Sequence, residues 1–265
     1  MIKYFIVAFY LLCWTGANAQ YWFGPKVGGH RTDFIYQEST YKSDSFDVST
    51  DYGLQGGFMM IYQASEKYAV MAELTYERID RKVTEKEGND IEVYSKSIYN
   101  YLSIPFSLRW DFGREPTYYY ISGGPKLSYW LGGSGEIYLD EFNEARTLDG
   151  PLPYDFEFKQ KKGGETNHRA VPQANRFQYG LQVGAGVYFD VATGGRVLVD
   201  LRHSFGHSNM GFNGNPDFTF ETYQENFRYR NYTLSLSVAY LFEYDVQLQR
   251  KGMSTIKESN KPKKK

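Results

Sequence analysis

The sequence is poor in the residues on which disulfide-bonded proteins and many enzymes depend. It contains one cysteine, Cys13, and only four histidines. Leu12 precedes Cys13, whereas lipid attachment at a cysteine needs a small residue there, so we do not expect a lipoprotein. Cys13 also lies in an N-terminal segment that we expect to be removed. The mature chain therefore has no cysteine for disulfides, thiolate metal sites or nucleophilic catalysis.

The chain also lacks long apolar runs. After residue 20 no stretch approaches the roughly 18 apolar residues of a transmembrane helix. The run Tyr4–Trp14 is too short to cross about 30 Å of hydrocarbon. Lys3 precedes it and Ala17-Asn18-Ala19 follows it, which is the order of an export signal and its cleavage site. We expect residues 1–19 to be a signal peptide and the mature chain to begin at Gln20.

Aromatic residues and glycine are abundant instead, with 25 Tyr, 19 Phe and 26 Gly. Eight segments alternate apolar and polar residues with period two, and these are 21–28, 52–62, 68–76, 102–110, 119–131, 177–189, 197–205 and 232–242. A strand between lipid and a polar interior requires this alternation, because successive side chains point to opposite faces. The composition and pattern indicate one β-rich domain over residues 20–244.

The links between these segments alternate in length. The long links are 37–50, 79–97, 132–175 and 206–228, and the short ones are Ala64–Lys67, Asp111–Pro116 and Val191–Gly195. An outer-membrane barrel with both termini in the periplasm has short periplasmic turns and long outer loops in this order. A soluble β-sandwich has no reason to sort its loops by length. The pattern predicts an all-β, eight-stranded antiparallel up-and-down transmembrane β-barrel with long extracellular loops.

Aromatic residues recur near both ends of the predicted strands, as expected at membrane interfaces. The predicted periplasmic rim consists of Tyr21, Tyr62, Tyr68, Trp110, Tyr119 and Phe242. The predicted outer rim consists of Tyr76, Tyr129, Phe177 and Phe205. Outer-membrane lipid is therefore an expected partner of the barrel wall.

Charged residues also fall on the predicted inward faces, and they are Glu73, Glu77, Arg109, Lys126, Asp200 and Arg202. The interior of an eight-stranded barrel is only wide enough for side chains to fill. Buried charges must be paired to be tolerated. We therefore expect these six side chains to pair with each other and fill the lumen. A gated pore or a catalytic carboxylate pair is the alternative.

Histidine and serine residues cluster near the predicted outer rim, at His203, Ser204, His207 and Ser208. A Ser/His/acid set could carry lipid hydrolysis. However, neighbouring residues on a strand point to opposite faces, so His203 and Ser204 cannot share a proton. His207 could reach a serine only if the strand bends at Gly206. His30 and His168 lack metal-ligand spacing. We expect no catalytic, cofactor or metal site, and a lipid-modifying enzyme remains the alternative.

The long loops and the C-terminal tail are the expected sites of partner contact. Within 132–175, segments Glu136–Leu139 and Tyr154–Lys159 could extend two strands as a hairpin. The loop after residue 206 is rich in aromatics that could dock a partner, and these include Phe212, Phe218, Phe220 and Tyr223. Residues 245–265 form a basic tail, expected to be disordered and periplasmic, that ends in Lys263, Lys264 and Lys265. It is too short and too poor in aromatics to bind nucleic acid.

Several sequence pieces resemble the PorT-like outer-membrane β-barrel family of Bacteroidota. These pieces are Phe23-Gly24-Pro25-Lys26-Val27-Gly28-Gly29, Tyr101-Leu102-Ser103-Ile104-Pro105, Ser122-Gly123-Gly124-Pro125-Lys126-Leu127 and Val199–Met210. The resemblance covers most of residues 20–244. The sequence departs from the family pattern at Ser103, where the family often has Glu, and at His203, where it often has an aromatic residue. The resemblance implies a small outer-membrane barrel, in some members involved in type IX protein secretion.

Together these observations favour a non-enzymatic interaction or assembly protein of the cell envelope. Its expected partners are other envelope or secretion proteins, reached through the loops and the tail. A surface adhesin that uses the 132–175 loop is the alternative among binding functions.

Overall fold

The computed structural model describes residues 20–36, 46–50, 52–85, 93–139, 151–158, 168–171, 174–191, 194–211, 218–219, 224–225 and 228–244. Within these ranges no helix is long and apolar enough to cross a membrane. The predicted signal peptide 1–19 and basic tail 245–265 lie outside the described residues.

The regular elements of the described residues are β-strands. In chain order they are β1 Gln20–Tyr36, β2 Phe46–Thr50, β3 Tyr52–Gln63, β4 Tyr68–Glu85, β5 Val93–Arg114, β6 Thr117–Leu139, β7 Leu152–Glu157, β8 His168–Ala170, β9 Phe177–Val191, β10 Gly195–Gly206, β11 Phe218–Thr219, β12 Gln224–Glu225 and β13 Tyr229–Tyr244. Eight of them contain the eight segments predicted from the alternation.

These eight strands close into a ring. The order is β1-β3-β4-β5-β6-β9-β10-β13, and β13 returns to pair with β1, every pair being antiparallel. The closing register places Phe23 opposite Phe242 and Val27 opposite Val238. Closure leaves no strand edge with unpaired backbone groups along the wall, which is what hydrocarbon requires. The predicted eight-stranded antiparallel up-and-down barrel is confirmed.

The two ends of the barrel differ. One end, which we call the turn end, holds Gln20, Tyr244 and the short links 64–67, 115–116 and 192–194. At the opposite end, the loop end, lie the longer links. The predicted sorting of short and long links to opposite ends is therefore confirmed.

Side chains alternate between the outside and the lumen as predicted. Leu108 is 63% exposed on the outer face, while the next residue, Arg109, is 2% exposed inside the barrel. Leu181 and Gln182 show the same contrast. The outer face thus carries a continuous set of exposed apolar side chains, which would be unfavourable in water and is stable against lipid.

The wall is taller on one side than the sequence pattern indicated. β4 and β5 continue through much of the predicted link 79–97, and β6 continues to Leu139. We call these continuations, residues 78–85, 93–100 and 132–139, the extended wall. Their outward residues include charged Arg78, Lys82 and Lys96 as well as apolar Ile98, so they lack the continuous apolar set of a lipid-facing strand. Their inward residues, such as Val83 and Tyr99, are buried.

Short strands flank the extended wall. β2 continues the line of β3 along β4, with Thr50 opposite Arg81. β7 pairs antiparallel with Ser134–Ile137 of β6, and β8 pairs in parallel with β7. The hairpin predicted within 132–175 is thus present, and β7 pairs with β6 on the side that β9 occupies nearer the turn end, so it lies in line with β9.

A β-bulge lies at the base of the extended wall. The register between β5 and β6 shifts between Asn100 and Tyr101. The neighbouring Gly132 has a φ of +148°, which a residue with a side chain rarely adopts. The bulge therefore interrupts the regular β5–β6 pairing where the lipid-facing pattern ends.

Candidate functional site

The lumen is the best-defined candidate site, and it is filled in three layers from the turn end to the loop end. The first layer, the turn-end plug, is made of buried apolar and aromatic side chains, namely Trp22, Met59, Ile61, Ala69, Met71, Tyr120, Tyr188, Leu198, Ala239 and Leu241. Inward Met59 and Ile61 interrupt the expected polar interior. The plug closes the lumen at this end to solvent.

Arg196 seals the rim of the plug. Its guanidinium lies 4.0 Å from the ring centroid of Trp22 and 4.2 Å from that of Tyr188. Its Nε donates to Asp190 at 2.7 Å. Arg196 is itself only 6% exposed, so the pair of rings and the carboxylate replace the water that this cation loses on burial.

Above the plug lies the second layer, which we call the ion layer. At its centre, Lys26 Nζ lies 2.9 Å from Glu73 and 3.3 Å from Asp200. Arg202 Nη2 lies 2.8 Å from Glu73 and 2.7 Å from Asp200. Tyr120 donates its hydroxyl to Asp200 at 2.7 Å. Two cations, from β1 and β10, therefore share two carboxylates, from β4 and β10.

Two separate ion pairs complete the layer. Lys126 Nζ lies 2.7 Å from Glu77 on the loop-end side. On the turn-end side, Arg109 Nε lies 2.7 Å from Asp111. Arg109 also donates to Gln63 Oε1 at 3.0 Å. Its guanidinium lies 5.0 Å from the ring of Tyr120, at the edge of the plug.

The ion layer is balanced in charge. Its cations are Lys26, Arg109, Lys126 and Arg202, and its anions are Glu73, Glu77, Asp111 and Asp200. Because an unpaired buried charge is far more costly than a paired one, this balance is what allows so many ionised groups inside the barrel. The arrangement neutralises charge and does not leave a carboxylate pair free for acid–base chemistry.

All six charged residues singled out from the sequence lie in the lumen, although they do not form one network. Glu73, Asp200 and Arg202 meet around Lys26, Glu77 pairs with Lys126, and Arg109 pairs with Asp111. Sequence reasoning missed the roles of Lys26 and Asp111. Lys26 occupies an inward position of the alternating segment 21–28, so the period-two pattern could have identified it as a lumen charge. Asp111 was assigned to a link because it follows the last lipid-facing residue, Trp110.

The third layer, the aromatic cap, closes the loop end. It consists of Ile79, Tyr99, Tyr101, Trp130, Phe156, Val171, Met210 and Tyr229. Tyr99 stacks on Phe156 with ring centroids 5.3 Å apart. Tyr229 donates its hydroxyl to that of Tyr99 at 3.0 Å. Phe156 comes from β7, so the hairpin of the long loop folds back over the lumen.

Arg81 lies in the cap within a cage of aromatic rings. Its guanidinium is 5.2 Å from the ring of Tyr229 and 5.8 Å from that of Tyr36. Tyr36 accepts hydrogen bonds from Arg81 at 3.1 and 2.6 Å. The cage joins β1, β4 and β13 above the membrane-facing part of the wall.

A small cavity of about 40 Å³ lies between residues of the ion layer and residues of the aromatic cap, and polar and apolar side chains both line it. Its lining includes Glu77, Lys126, Gln178, Ser204 and Thr233. A water molecule needs roughly 10–15 Å³ of such volume, so the cavity has room for a few waters. It is too small for an organic substrate.

The histidines and serines near the loop end do not form a catalytic set. Ser204 is buried in the lumen, whereas His203 packs on the outside with its ring 4.3 Å from that of Phe205. The Ser208 hydroxyl accepts a hydrogen bond from the Tyr179 backbone N–H at 2.9 Å. Within the described ranges, neither histidine ring is hydrogen-bonded to Ser204 or Ser208.

The described residues offer neither a metal cluster nor most of the predicted partner contacts. Among the residues with described placement, no group of three or more His, Cys, Asp or Glu side chains could hold a metal ion. Phe212, Phe220, Tyr223, Lys263, Lys264 and Lys265 lie outside the described residues. Phe218 belongs to β11, but its side chain is not described.

An open depression of about 420 Å³ lies on the extended wall. It is lined by residues of three neighbouring strands, namely Lys96, Ile98, Ser134, Gly135, Glu136, Pro153, Tyr154 and Asp155. This volume is typical of small-molecule sites. It lies outside the lumen, in the part of the chain where we expected external contacts.

Comparison with known proteins identifies a family. A family model described as outer membrane protein beta-barrel domain matches residues 17–211, which is more than half of the chain. No curated protein matches the sequence.

Among solved structures, three small barrels are similar at low identity. OprG from Pseudomonas aeruginosa is 10% identical with a TM-score of 0.42, covering 86% of this chain and 96% of that one. Ail of Yersinia pestis, solved with the heparin analogue sucrose octasulfate, is 11% identical with a TM-score of 0.36, covering 84% and 99%. Neisserial surface protein A is 12% identical with a TM-score of 0.33, covering 84% and 97%. Similarity at this level says nothing about what this chain binds.

Proposed function

The chain belongs to the family of outer membrane protein beta-barrel domains, and from this we propose that it is a non-enzymatic interaction or assembly component of the cell envelope. Outer-membrane location follows from the family. The proposal concerns what the barrel does there: it holds a rigid surface of strands and loops in place and conducts no solute.

The observation that carries this proposal is the filled lumen. The turn-end plug, the ion layer and the aromatic cap occupy the interior in succession, and the cavity between the last two is about 40 Å³. A conducting pore would need a continuous hydrated path through the interior. Here the charges of the ion layer are paired with each other.

Conductance in a planar lipid bilayer tests this part of the proposal. The purified barrel should give no steady channel activity at either polarity of the applied voltage. Reproducible, ion-selective openings from the folded protein would refute the scaffold role and favour a pore.

We further propose that the loop end faces the outside of the cell and that both termini are periplasmic. The short turns at the end that holds Gln20 and Tyr244 support this orientation, because outer-membrane barrels keep their short turns on the periplasmic side. Cysteine labelling in intact cells can test it, because the mature chain is expected to have no native cysteine. Cysteine at Asp155 should react with a membrane-impermeant maleimide, and cysteine at Glu66 should not.

We propose that the partner is another envelope protein, and more specifically a component of the type IX secretion machinery. The resemblance to PorT-like barrels in Phe23–Gly29, Tyr101–Pro105 and Val199–Met210 favours this partner class. The extended wall supports a docking role, because strands that rise beyond the lipid-facing region are not needed to span a membrane. Affinity purification from the native envelope, followed by mass spectrometry, should recover secretion components.

A surface adhesin is the second candidate, and one observation favours it. The 132–175 loop carries a formed hairpin, β6 with β7, beside a depression of about 420 Å³. Deleting residues 246–265 separates the two functions. An assembly role that uses the periplasmic tail should be impaired by the deletion, whereas adhesion through the loop should survive it.

A further inference from the structure

Two arginines on the outer face stand at the border between the apolar wall and the extended wall. Arg31 on β1 lies opposite Tyr52 of β3, and Arg78 on β4 lies opposite Leu54 of β3. All four side chains therefore point outward from three adjacent strands. Tyr52 is 78% exposed and Leu54 is 71% exposed.

The two guanidinium groups are within reach of one ligand. Arg31 and Arg78 are separated by two strand spacings of about 4.8 Å and two residues of about 3.3 Å each, or about 12 Å between Cα atoms. An extended arginine side chain covers about half of that distance. Their side chains are 61% and 48% exposed, so both are free to approach a group lying over β3.

The order of chemical groups along these strands matches the order in a phosphorylated lipid. On the lipid side of Arg78 lie outward Leu74 and Tyr76, which are 48% and 45% exposed. Two residues farther toward the loop end lies Asp80, and Asp33 has the same relation to Arg31. The wall thus presents apolar groups at the level of acyl chains and cationic groups at the level of a phosphate, while the aspartates lie farther toward the loop end, beside the arginines.

Asp33 and Asp80 lie beside the arginines but do not use all of their N–H donors. Arg78 donates from Nε to Asp80 at 3.0 Å and from Nη2 at 3.4 Å. Arg31 Nε lies 3.5 Å from Asp33. A guanidinium has five N–H donors, so each arginine keeps donors for a phosphate on its lipid side.

We propose that Arg31 and Arg78 form a clamp, over Tyr52 and Leu54, for the phosphate of an anionic glycolipid in the outer leaflet. This rests on the proposed orientation, with the loop end outside. The clamp would hold one lipid against β3 and fix the height of the barrel in the membrane. A phosphate bound by arginine makes charge-assisted hydrogen bonds, which are stronger than neutral ones.

A titration in detergent micelles with lipid A, which carries the phosphates, tests the clamp. The full-length folded barrel should bind lipid A, and R31Q/R78Q should bind it at least tenfold more weakly. The matched control is K67Q/R114Q, which removes two exposed cations at the turn end and should leave the affinity unchanged. All these residues are on the surface, so heat-modifiable gel mobility should show a folded barrel for each variant.

Three results would overturn the clamp. The first is equal lipid A affinity in R31Q/R78Q and the parent protein. The second is equal binding of dephosphorylated lipid A, which would assign the interaction to acyl chains alone. The third is displacement of lipid A by inorganic phosphate at similar concentration, which would indicate a site for free phosphate.

Failure of the orientation is distinguishable from failure of the clamp, because the micelle titration does not depend on which end faces outward. If cysteine at Asp155 is not labelled in intact cells while arginine-dependent lipid A binding persists, the orientation is wrong. The phosphate clamp itself would still be supported. If labelling succeeds and binding is independent of the arginines, the clamp is wrong and the orientation stands.

Discussion

Lys26 Nζ lies 2.9 Å from Glu73 Oε2 at the centre of the lumen, although the two residues are 47 positions apart in sequence. Both side chains are almost completely buried, at 4% and 2% exposure. The contact joins β1 to β4 over the intervening strand β3, and Arg202 Nη2, 2.8 Å from Glu73, extends it across the lumen to β10. It shows that the barrel is held together by side chains that cross the lumen as well as by backbone pairing along the wall.

Replacing Lys26 with methionine should destabilise the barrel by about 3–5 kcal/mol, because Glu73 and Asp200 would then share only Arg202. Urea unfolding in micelles, followed by heat-modifiable gel mobility, measures the change. Adding E73Q to K26M should recover part of the loss, since the layer would again be neutral. Lys67 is exposed at the turn end, and K67M should be close to neutral. Equal stability of K26M and the parent protein would contradict the proposed role of the ion layer.

Arg109 and Arg114 lie near each other on β5 but differ in surroundings, which makes them a matched pair. Arg109 is buried against Asp111, Gln63 and the rings of Tyr120 and Tyr188. Arg114 is exposed at the end of the strand. We expect R109Q to lower the free energy of unfolding by about 3 kcal/mol and R114Q to change it by less than about 0.5 kcal/mol. Similar effects of the two changes in the same unfolding assay would show that Arg109 is not structurally paired.

Gly28 and Gly29 are neighbours on β1 with opposite tolerance to a side chain. A Cβ atom on Gly28 would collide with the backbone oxygen of Leu236 on β13, across the closing seam of the barrel. A Cβ atom on Gly29 would meet its nearest neighbour, the oxygen of Gly53, at 3.7 Å, which is ordinary van der Waals contact. G28A should therefore cost about 1–3 kcal/mol, whereas G29A should be neutral or slightly stabilising. Refolding yield into micelles and unfolding midpoints compare them, and the reverse ranking would show that the β1–β13 seam is packed differently.

Trp130 in the aromatic cap is expected to hold the β6–β7 hairpin in place. Trp130 is fully buried, and its ring lies 5.6 Å from that of Phe156 and 5.7 Å from that of Tyr99. W130A should cost about 3–5 kcal/mol and loosen the β6–β7 hairpin. Proteolysis within β7, Leu152–Glu157, should then become faster than in the parent protein. The surface change W110A, at the lipid-facing turn-end rim, should leave that cleavage rate unchanged, and equal acceleration by both would mean that the cap does not hold the hairpin.

The lipid-facing pattern could be predicted from the sequence because it depends only on local alternation. The pair Leu108 and Arg109 illustrates this, since one faces lipid and the other the lumen, as their residue types require. The placement of Glu73 and Asp200 inside the barrel followed from the same rule. The family match supports the membrane setting in which that rule applies.

Three features could not be predicted, and each has a physical reason. The partners of Lys26 depend on which inward side chains come close together in the closed barrel. Period-two alternation shows only which face a residue occupies and not which residues of other strands lie near it. The turn-end plug contains inward Met59 and Ile61. Their neighbours on the outer face, Phe58 and Met60, are also apolar, so the sequence does not show which face of β3 points into the lumen. The extended wall carries charged residues such as Lys82 and Lys96 on its outer face and both apolar and polar residues on its inner face, so it lacks the lipid-facing alternation and most of it was expected to be a link.

The measurement that most directly tests the account is spin-label accessibility along β13 in lipid bilayers. Single cysteines at 233 to 238 can carry the label without removing a member of the ion layer, because the mature chain is expected to contain no other cysteine. Labels at the outward positions Leu234, Leu236 and Val238 should be accessible to oxygen dissolved in lipid. Labels at the inward positions Thr233, Ser235 and Ser237 should be shielded from both oxygen and a water-soluble relaxation agent. Accessibility without this alternation, or strong access of the water-soluble agent at Ser237, would contradict a sealed barrel in a membrane.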